Sequence, residues 1–203
     1  MSRISIGPVP KPKVKKPDRR IASTRSRLGA ALISLIESKP IDSIKVQEIL
    51  DRAGVSRSTF YTHYKDKDDL LLTDVADFFE RVSMSLSRMN DPSDRVMPVT
   101  ELFAHVGEAR SLLDALTASG RLQVVLEIGQ ESFARGIERR LAALPRARNI
   151  PAQRRSALSH AYAGALVSLL MWWIRRGLRG SPQQMDDLFH RIVWSKSTSL
   201  PPA

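Results

Sequence analysis

Apolar residues recur along this chain with a helical period. Leu28, Leu32, Leu35 and Ile36 fall at i, i+4, i+7 and i+8, one face of a first helix running from Ile21 to near Ser38. Pro40 follows its end, as expected of a stop. A second, short helix is predicted from about Lys45 to Arg52, with Ser43 near its start. Ala53-Gly54-Val55 then breaks the pattern, because glycine accepts the positive φ of a tight turn. Ser56 is a good N-cap for a third helix, and Val55 and Phe60 occupy the two staple positions around it. Asp66 caps a fourth helix, with Asp68 and Asp69 in its first turn, where the helix dipole favours acids. Its apolar face reads Leu71, Val75, Phe78, Val82, Leu86 and Met89, and it ends around Asn90-Asp91-Pro92.

The rest of the chain continues in the same period. One helix opens at Pro98 and reaches about Gly107, and another lies near Arg110–Ala118. Ser119-Gly120 precedes a long helix with Leu122, Leu126, Phe133, Ile137, Leu141 and Leu144 on its face. A basic loop, Pro145–Pro151, leads to a helix carrying Leu158, Tyr162, Leu166, Leu169 and Trp173, which Gly177 and Gly180 end. Ser181-Pro182-Gln183-Gln184 is a full start signal, with Ser at the cap, Pro at the first helical position and Gln at the third. The last helix is expected to bury Met185, Leu188, Phe189, Ile192 and Val193. No segment alternates with the period of a strand, and no nucleotide-type Gly-rich loop or internal repeat is present.

The fold class read from this pattern is all-α. Residues 1–17, with Pro8, Pro10, Pro12 and Pro17 among lysines, are expected to form a disordered basic arm. Residues 18–66 form a helix-turn-helix head and 67–196 a helical body, with 197–203 a disordered tail.

Composition narrows the chemistry. The 203 residues include 32 Lys plus Arg against 21 Asp plus Glu, a formal charge of +11, which points to a polyanionic partner. Seven of the basic residues lie in the first 20 positions against one acid, whereas residues 21–70 hold eight basic and seven acidic groups. General attraction to a polyanion therefore belongs chiefly to the arm. Cysteine is absent, which excludes disulfides, thiol catalysis and Cys-ligated zinc. The 4 histidines have no metal-ligand spacing, and no metal or cofactor is expected.

Two short helices joined by a tight glycine turn are the helix-turn-helix signature, whose second helix enters the major groove of DNA with its N-terminal residues at base edges. That helix here begins Ser56-Arg57-Ser58-Thr59-Phe60-Tyr61-Thr62-His63-Tyr64. Arg57 can donate two hydrogen bonds to guanine O6 and N7, Ser58 and Thr59 can bond bases or phosphates, and Tyr61 and His63 can reach phosphates from the flank. Phe60 should point inward. A helix serving packing alone would not need Arg, Ser, Thr, Tyr and His together on its outward turns.

These residues resemble the TetR family of bacterial transcriptional regulators. The likeness rests on Thr24-Arg25 and Ala30-Ala31-Leu32, then the run from Ala53 to Tyr64, then Asp66-Lys67-Asp68-Asp69-Leu70-Leu71. The resemblance implies DNA contacts from Thr24, Lys45, Ser56, Arg57, Ser58, Thr59, Tyr61, His63, Tyr64 and Lys67. It also implies a homodimer joined through the last two helices, a near-palindromic double-stranded operator and a small-molecule effector that releases the DNA. The pocket candidates are Phe103, His105, Leu126, Gln130, Phe133, Tyr162, Leu169 and Trp173, an apolar lining with a few polar groups.

Other classes are weaker. No Ser-His-Asp pattern or phosphate loop supports an enzyme, and Glu127 and Glu131 at i, i+4 read as a solvated face. No secretory signal is visible, the longest nearly apolar run, Ala161 to Ile174, falls short of a bilayer span, and no membrane partner is expected. A bacterial cytoplasmic protein, nucleoid-associated when on DNA, is the expectation. The runner-up is a DNA-binding regulator with no small-molecule effector, controlled by a partner protein or by abundance.

Overall fold

A computed structural model describes residues 19–195, so the expected arm and tail lie outside the described residues. Among the described residues every regular element is helical. The head is built from α1 (Arg19–Ile36), a 3-10 turn at Ile41–Ser43, α2 (Val46–Ala53) and α3 (Arg57–His63). The body follows as α4 (Lys67–Arg88), α5 (Val99–Glu108), α6 (Arg110–Ala118), α7 (Leu122–Ala143), α8 (Ala152–Arg175) and α9 (Pro182–Trp194). A 3-10 turn at Pro145–Ala147 lies within what the sequence suggested was plain loop.

Local rules set the head. Gly54 ends α2 in the left-handed region, φ 61° and ψ 41°, and both its amide and that of Val55 return to the carbonyl of Leu50. Ser56 Oγ accepts from the amide of Thr59 at 3.3 Å, which starts α3 at once. Phe60 is then fully buried in one core with Leu28, Leu32, Ile49 and Leu50, and α3 packs on α2.

The body is a layered bundle in which α7 packs on α4 and α8, and α5 packs on α9. Gly136 lets α7 approach the Ser83 backbone of α4, since a β-carbon there would lie 2.7 Å from Ser83 Cβ. Two polar clusters pin the connection from α4 to α5. The buried Arg140 donates to the carbonyls of Asp91, Ser93 and Arg95 at 2.7, 2.7 and 2.9 Å. Asp186, also buried, accepts from Arg95, from the Thr100 amide and from His190 Nδ1, while His190 Nε2 accepts from the Val96 amide. Burial works to raise the Asp186 pKa, but the bonds from His190 and Thr100 and the charge of Arg95 outweigh it and hold the carboxyl at about 2.

Three apolar rows differ from the sequence expectation. On α4, Leu71 and Leu86 are buried, but Val75, Phe78 and Val82 are only half-buried and Met89 is exposed; Leu70, Phe79 and Ser83 take the inner positions. The helix turns its Phe79 edge toward α7 and leaves Val75 and Phe78 facing a cleft. On α9, Met185, Phe189 and Val193 are buried, whereas Leu188 and Ile192 remain 38% and 47% exposed. On α8, Ala163, Leu166, Leu170 and Trp173 face the core while Trp172 is 47% exposed. By length and composition α8 could cross a bilayer, a longer element than the run Ala161 to Ile174 suggested, yet only 28% of its most apolar window is buried. Its inner face nonetheless belongs to the core, and basic residues stand at both ends. An amphipathic bundle helix with one uncovered face accounts for it.

Candidate nucleic-acid interface

With Phe60 buried, α3 turns Arg57, Ser58, Tyr61 and Thr62 to solvent. Tyr61 is half-exposed, its ring set edge-on to Phe60 at 5.2 Å between centroids, so the core orients an otherwise free phenol. Arg57 Nη2 donates to Gln47 Oε1 on α2 at 3.3 Å, and Gln47 in turn donates to Asp51 at 2.8 Å. This chain holds the guanidinium in place while leaving most of its donors open, a geometry suited to a bidentate acceptor such as a guanine edge. Sequence reasoning missed Gln47. The available signal was an exposed polar side chain in the first turn of the short helix, ahead of the buried pair Ile49 and Leu50.

The other expected contacts divide. Ser58, Tyr61 and His63 lie along α3, and Thr24 is half-buried on α1. Lys45 is exposed at the α2 N-terminus, where its own amide donates to Glu48 Oε2 at 2.9 Å. Ser56 and Thr59 are partly committed to the cap, their hydroxyls 2.8 Å apart.

Two residues depart from the expectation. Tyr64 is 3% exposed and its hydroxyl accepts from Arg25 Nε at 3.1 Å; burial pushes its pKa up. It is a core anchor joining α3 to α1, and its ring cannot reach a phosphate without leaving that core. Lys67 spends all three ammonium protons on the carbonyls of Ile41, Asp42 and Ile44, at 2.8, 3.0 and 2.9 Å. It closes the turn before α2 and offers no donor to DNA in this arrangement. Sequence alone could not separate these roles, because the carbonyls that claim Lys67 are more than 20 positions away.

Ion pairs tie head to body. Arg25 Nη2 meets Asp77 of α4 at 2.7 Å. Arg121, just before α7, meets Asp42 at 2.9 Å and Asp68 at 3.0 Å.

The eight pocket candidates do not converge on one cavity. Phe103, Phe133, Leu126 and Trp173 are buried core residues; Phe103 and Trp173 pack at 5.0 Å, and Trp173 Nε1 donates to Gly180 O. Tyr162 donates to Val193 O at 3.2 Å and so clamps α8 to α9, and Leu169 packs half-buried against the core. Gln130, with Leu126, borders a groove between α7 and α8 of about 520 Å³. Only His105 borders the largest cleft described, about 810 Å³, which lies between α1, α4 and the α5–α6 corner. A core face and a cavity face have the same helical period, which is why the pattern could not tell them apart.

Residues 29–73 match the family model of bacterial regulatory proteins, tetR family. The chain is 36% identical over 62 residues to YxbF, an uncharacterized HTH-type transcriptional regulator of Bacillus subtilis (strain 168), a stretch covering 30% of this chain and 16% of that relative's length. The fold is similar to that of a TetR transcriptional regulator from Streptococcus agalactiae 2603V, with a TM-score of 0.56 and 22% identity over 87% of this chain and 96% of that one. It is also similar to the fatty acid degradation regulator FadR from Bacillus halodurans, with a TM-score of 0.56 and 15% identity over 91% and 98% of the two chains.

Proposed function

We infer that the chain is a member of the tetR family of bacterial regulatory proteins and a sequence-specific DNA-binding regulator of transcription in the bacterial cytoplasm. The observation that carries this reading is the outward row of α3, with Arg57 braced by Gln47 beside the oriented Tyr61. Arg57 and Ser58 are the proposed base readers. Tyr61 and His63 hold phosphates on the flank, with Thr24 in the second turn of α1 and Lys45 at the start of α2. Residues 18–66 serve as the head and 67–196 as the body.

The working unit is a homodimer. Support comes from the uncovered apolar residues Trp172 on α8 and Leu188 and Ile192 on α9, which water would otherwise face. Two recognition helices would then meet half-sites about 34–36 Å apart on a near-palindromic operator. A small-molecule effector that favours a conformer with wrongly spaced heads releases the DNA by population shift. Repression lifted by that effector is the mode proposed.

Selection of the full chain against a random-sequence duplex pool tests the reading. A two-fold symmetric sequence should emerge, and Arg57→Ala should relax one position in each half-site. A pool that stays unenriched would overturn sequence-specific binding, and a monomer by light scattering at micromolar concentration would overturn the dimer. Native mass spectrometry of the purified protein separates effector control from the runner-up, a regulator without an effector, by whether a small molecule travels with it.

A further inference from the structure

The cleft between head and body has a chemistry of its own. Its walls come from α1 on one side and from α4, α5 and α6 on the other, with Val125 of α7 at the edge. Its volume of about 810 Å³ falls in the range of small-molecule sites. Most of the lining is apolar, with Ile33, Leu112 and Leu116 among the contributors. Phe78 and His105 stack across it at 4.4 Å between ring centroids, with planes 26° apart, and make a flat aromatic wall.

One polar group stands out against that lining. Asp74 projects from α4 into the cleft, and among the described residues no hydrogen bond or ion pair is formed by its carboxylate. Neighbouring Asp77 is taken by Arg25, and Arg25 is further committed to the Tyr64 hydroxyl. Burial, and then the charge of Asp77, push the Asp74 carboxyl above its ordinary pKa, with Arg25 and Arg81 pulling back only in part. The carboxylate has its place because Gly29 of α1 lies beside it; a β-carbon there would be 1.7 Å from Asp74 Oδ2. A helix-interior glycine is costly, and here it opens the space that this acid occupies.

The charge of the lining sets the sign of the occupant. Four carboxylates, Glu37, Asp74, Asp77 and Glu108, face two guanidiniums, Arg25 and Arg81, on the cleft wall. The surplus is negative in a protein whose overall charge is +11. A half-buried carboxylate without a partner is stabilised most by a cation that replaces its lost hydration.

We propose that this cleft is the effector site and that it takes an organic cation with an aromatic or aliphatic body, its charged nitrogen on Asp74 and its apolar part against Phe78, His105 and the α6 leucines. The proposal rests on the regulator reading for its consequence, not for the binding itself. Because α1 belongs to the DNA-binding head and α4 and α6 to the body, an occupant touches both, and its affinity depends on how they sit relative to one another. A ligand with that differential affinity shifts the head.

Three probes of one shape and different charge test it: 4-biphenylmethylamine, 4-biphenylmethanol and biphenyl-4-carboxylate, titrated by calorimetry into the full chain near neutral pH. The amine should bind at least about tenfold more tightly than the alcohol, and the carboxylate weakest. Asp74→Asn should bring amine and alcohol to within about threefold of each other, and Leu112→Trp, which fills the cleft, should weaken the amine and the alcohol. A retained cooperative melt shows that each variant is folded; if Asp74→Asn does not fold, Gly29→Ala, which displaces the carboxylate, gives the same test. Equal binding of the three probes, or an amine preference that survives both Asp74→Asn and Gly29→Ala, overturns the site. A duplex recovered from the random pool then reads the coupling by fluorescence anisotropy. The amine should weaken the wild type's DNA affinity, and DNA affinity unchanged by bound amine overturns the effector role. Absence of any DNA binding would instead defeat the regulator reading while leaving the calorimetric result standing.

Discussion

α2 and α3 are 8 and 7 residues long, whereas α4, α7 and α8 run to 22, 22 and 24. The short helices have room for one apolar anchor row each. Once Gly54 sets the turn and Ser56 the cap, burying Phe60 leaves no choice about which side chains point outward. The long helices carry apolar residues on more than one face. Val75 and Phe78 border a cleft although Phe79, the next residue along, is buried, and Leu188 is exposed beside the buried Phe189. A short, locally capped element therefore declares its functional face in its own residues. A long one leaves the division between core, cavity and partner surface to its neighbours.

Substitutions in the two kinds of helix should differ in size and in readout. Phe60→Ala should have the largest effect, about 3–5 kcal/mol of destabilisation, because its fully buried ring is the one buried side chain within α3 itself. Amide exchange should then show the head opening while α7 and α8 stay protected, and uniform loss of protection would mean that head and body unfold as one unit. Asp186→Asn should follow at about 2–4 kcal/mol, since it strips a buried acceptor from Arg95 and His190. Its effect should depend on pH in a set direction. The Asp186 pKa is lowered to about 2 in the folded chain, so its contribution is complete above the ordinary carboxylate value of about 4 and is lost as pH falls toward 2. Thermal melts of wild type and variant should accordingly converge at the acid end, and a gap constant from neutral to acid pH would refute the assignment.

Smaller effects are expected on DNA affinity alone. Arg57→Ala should cost about 1–3 kcal/mol on the selected operator with an unchanged melting temperature, because its side chain is exposed and, among the described residues, hydrogen-bonds only to Gln47. Gln47→Ala should reproduce part of that loss if bracing matters, and none if it does not. Tyr61→Phe should cost about 0.5–1.5 kcal/mol on every sequence alike, as a phosphate contact would. A sequence-dependent loss would move Tyr61 to the base readers.

Much of the head was legible in advance. The turn at Gly54, the cap at Ser56 and the inward Phe60 each follow from residues within a few positions of one another. The two site residues that departed, Tyr64 and Lys67, did so through distant partners: Arg25 is 39 positions from Tyr64, and Ile41 is 26 from Lys67. Both carry hydrogen-bonding groups that suit a phosphate as well as a protein acceptor, so side-chain chemistry alone could not assign them. In the body, helix type and order were legible, and the eight pocket candidates were not, because apolar periodicity reports burial without saying whether protein or a cavity lies opposite.

An all-helical chain, the place of its tight turn and the outward chemistry of α3 follow from residues close together along the chain. Those depend on φ preferences, caps and a period of 3.6, which act over a single turn of backbone. That Gln47 braces Arg57, that Lys67 closes a turn, and that Gly29 and Asp74 meet across a cleft is set by packing between distant segments. Each of these requires two segments to arrive at the same place, and the arrival is set by how whole helices pack.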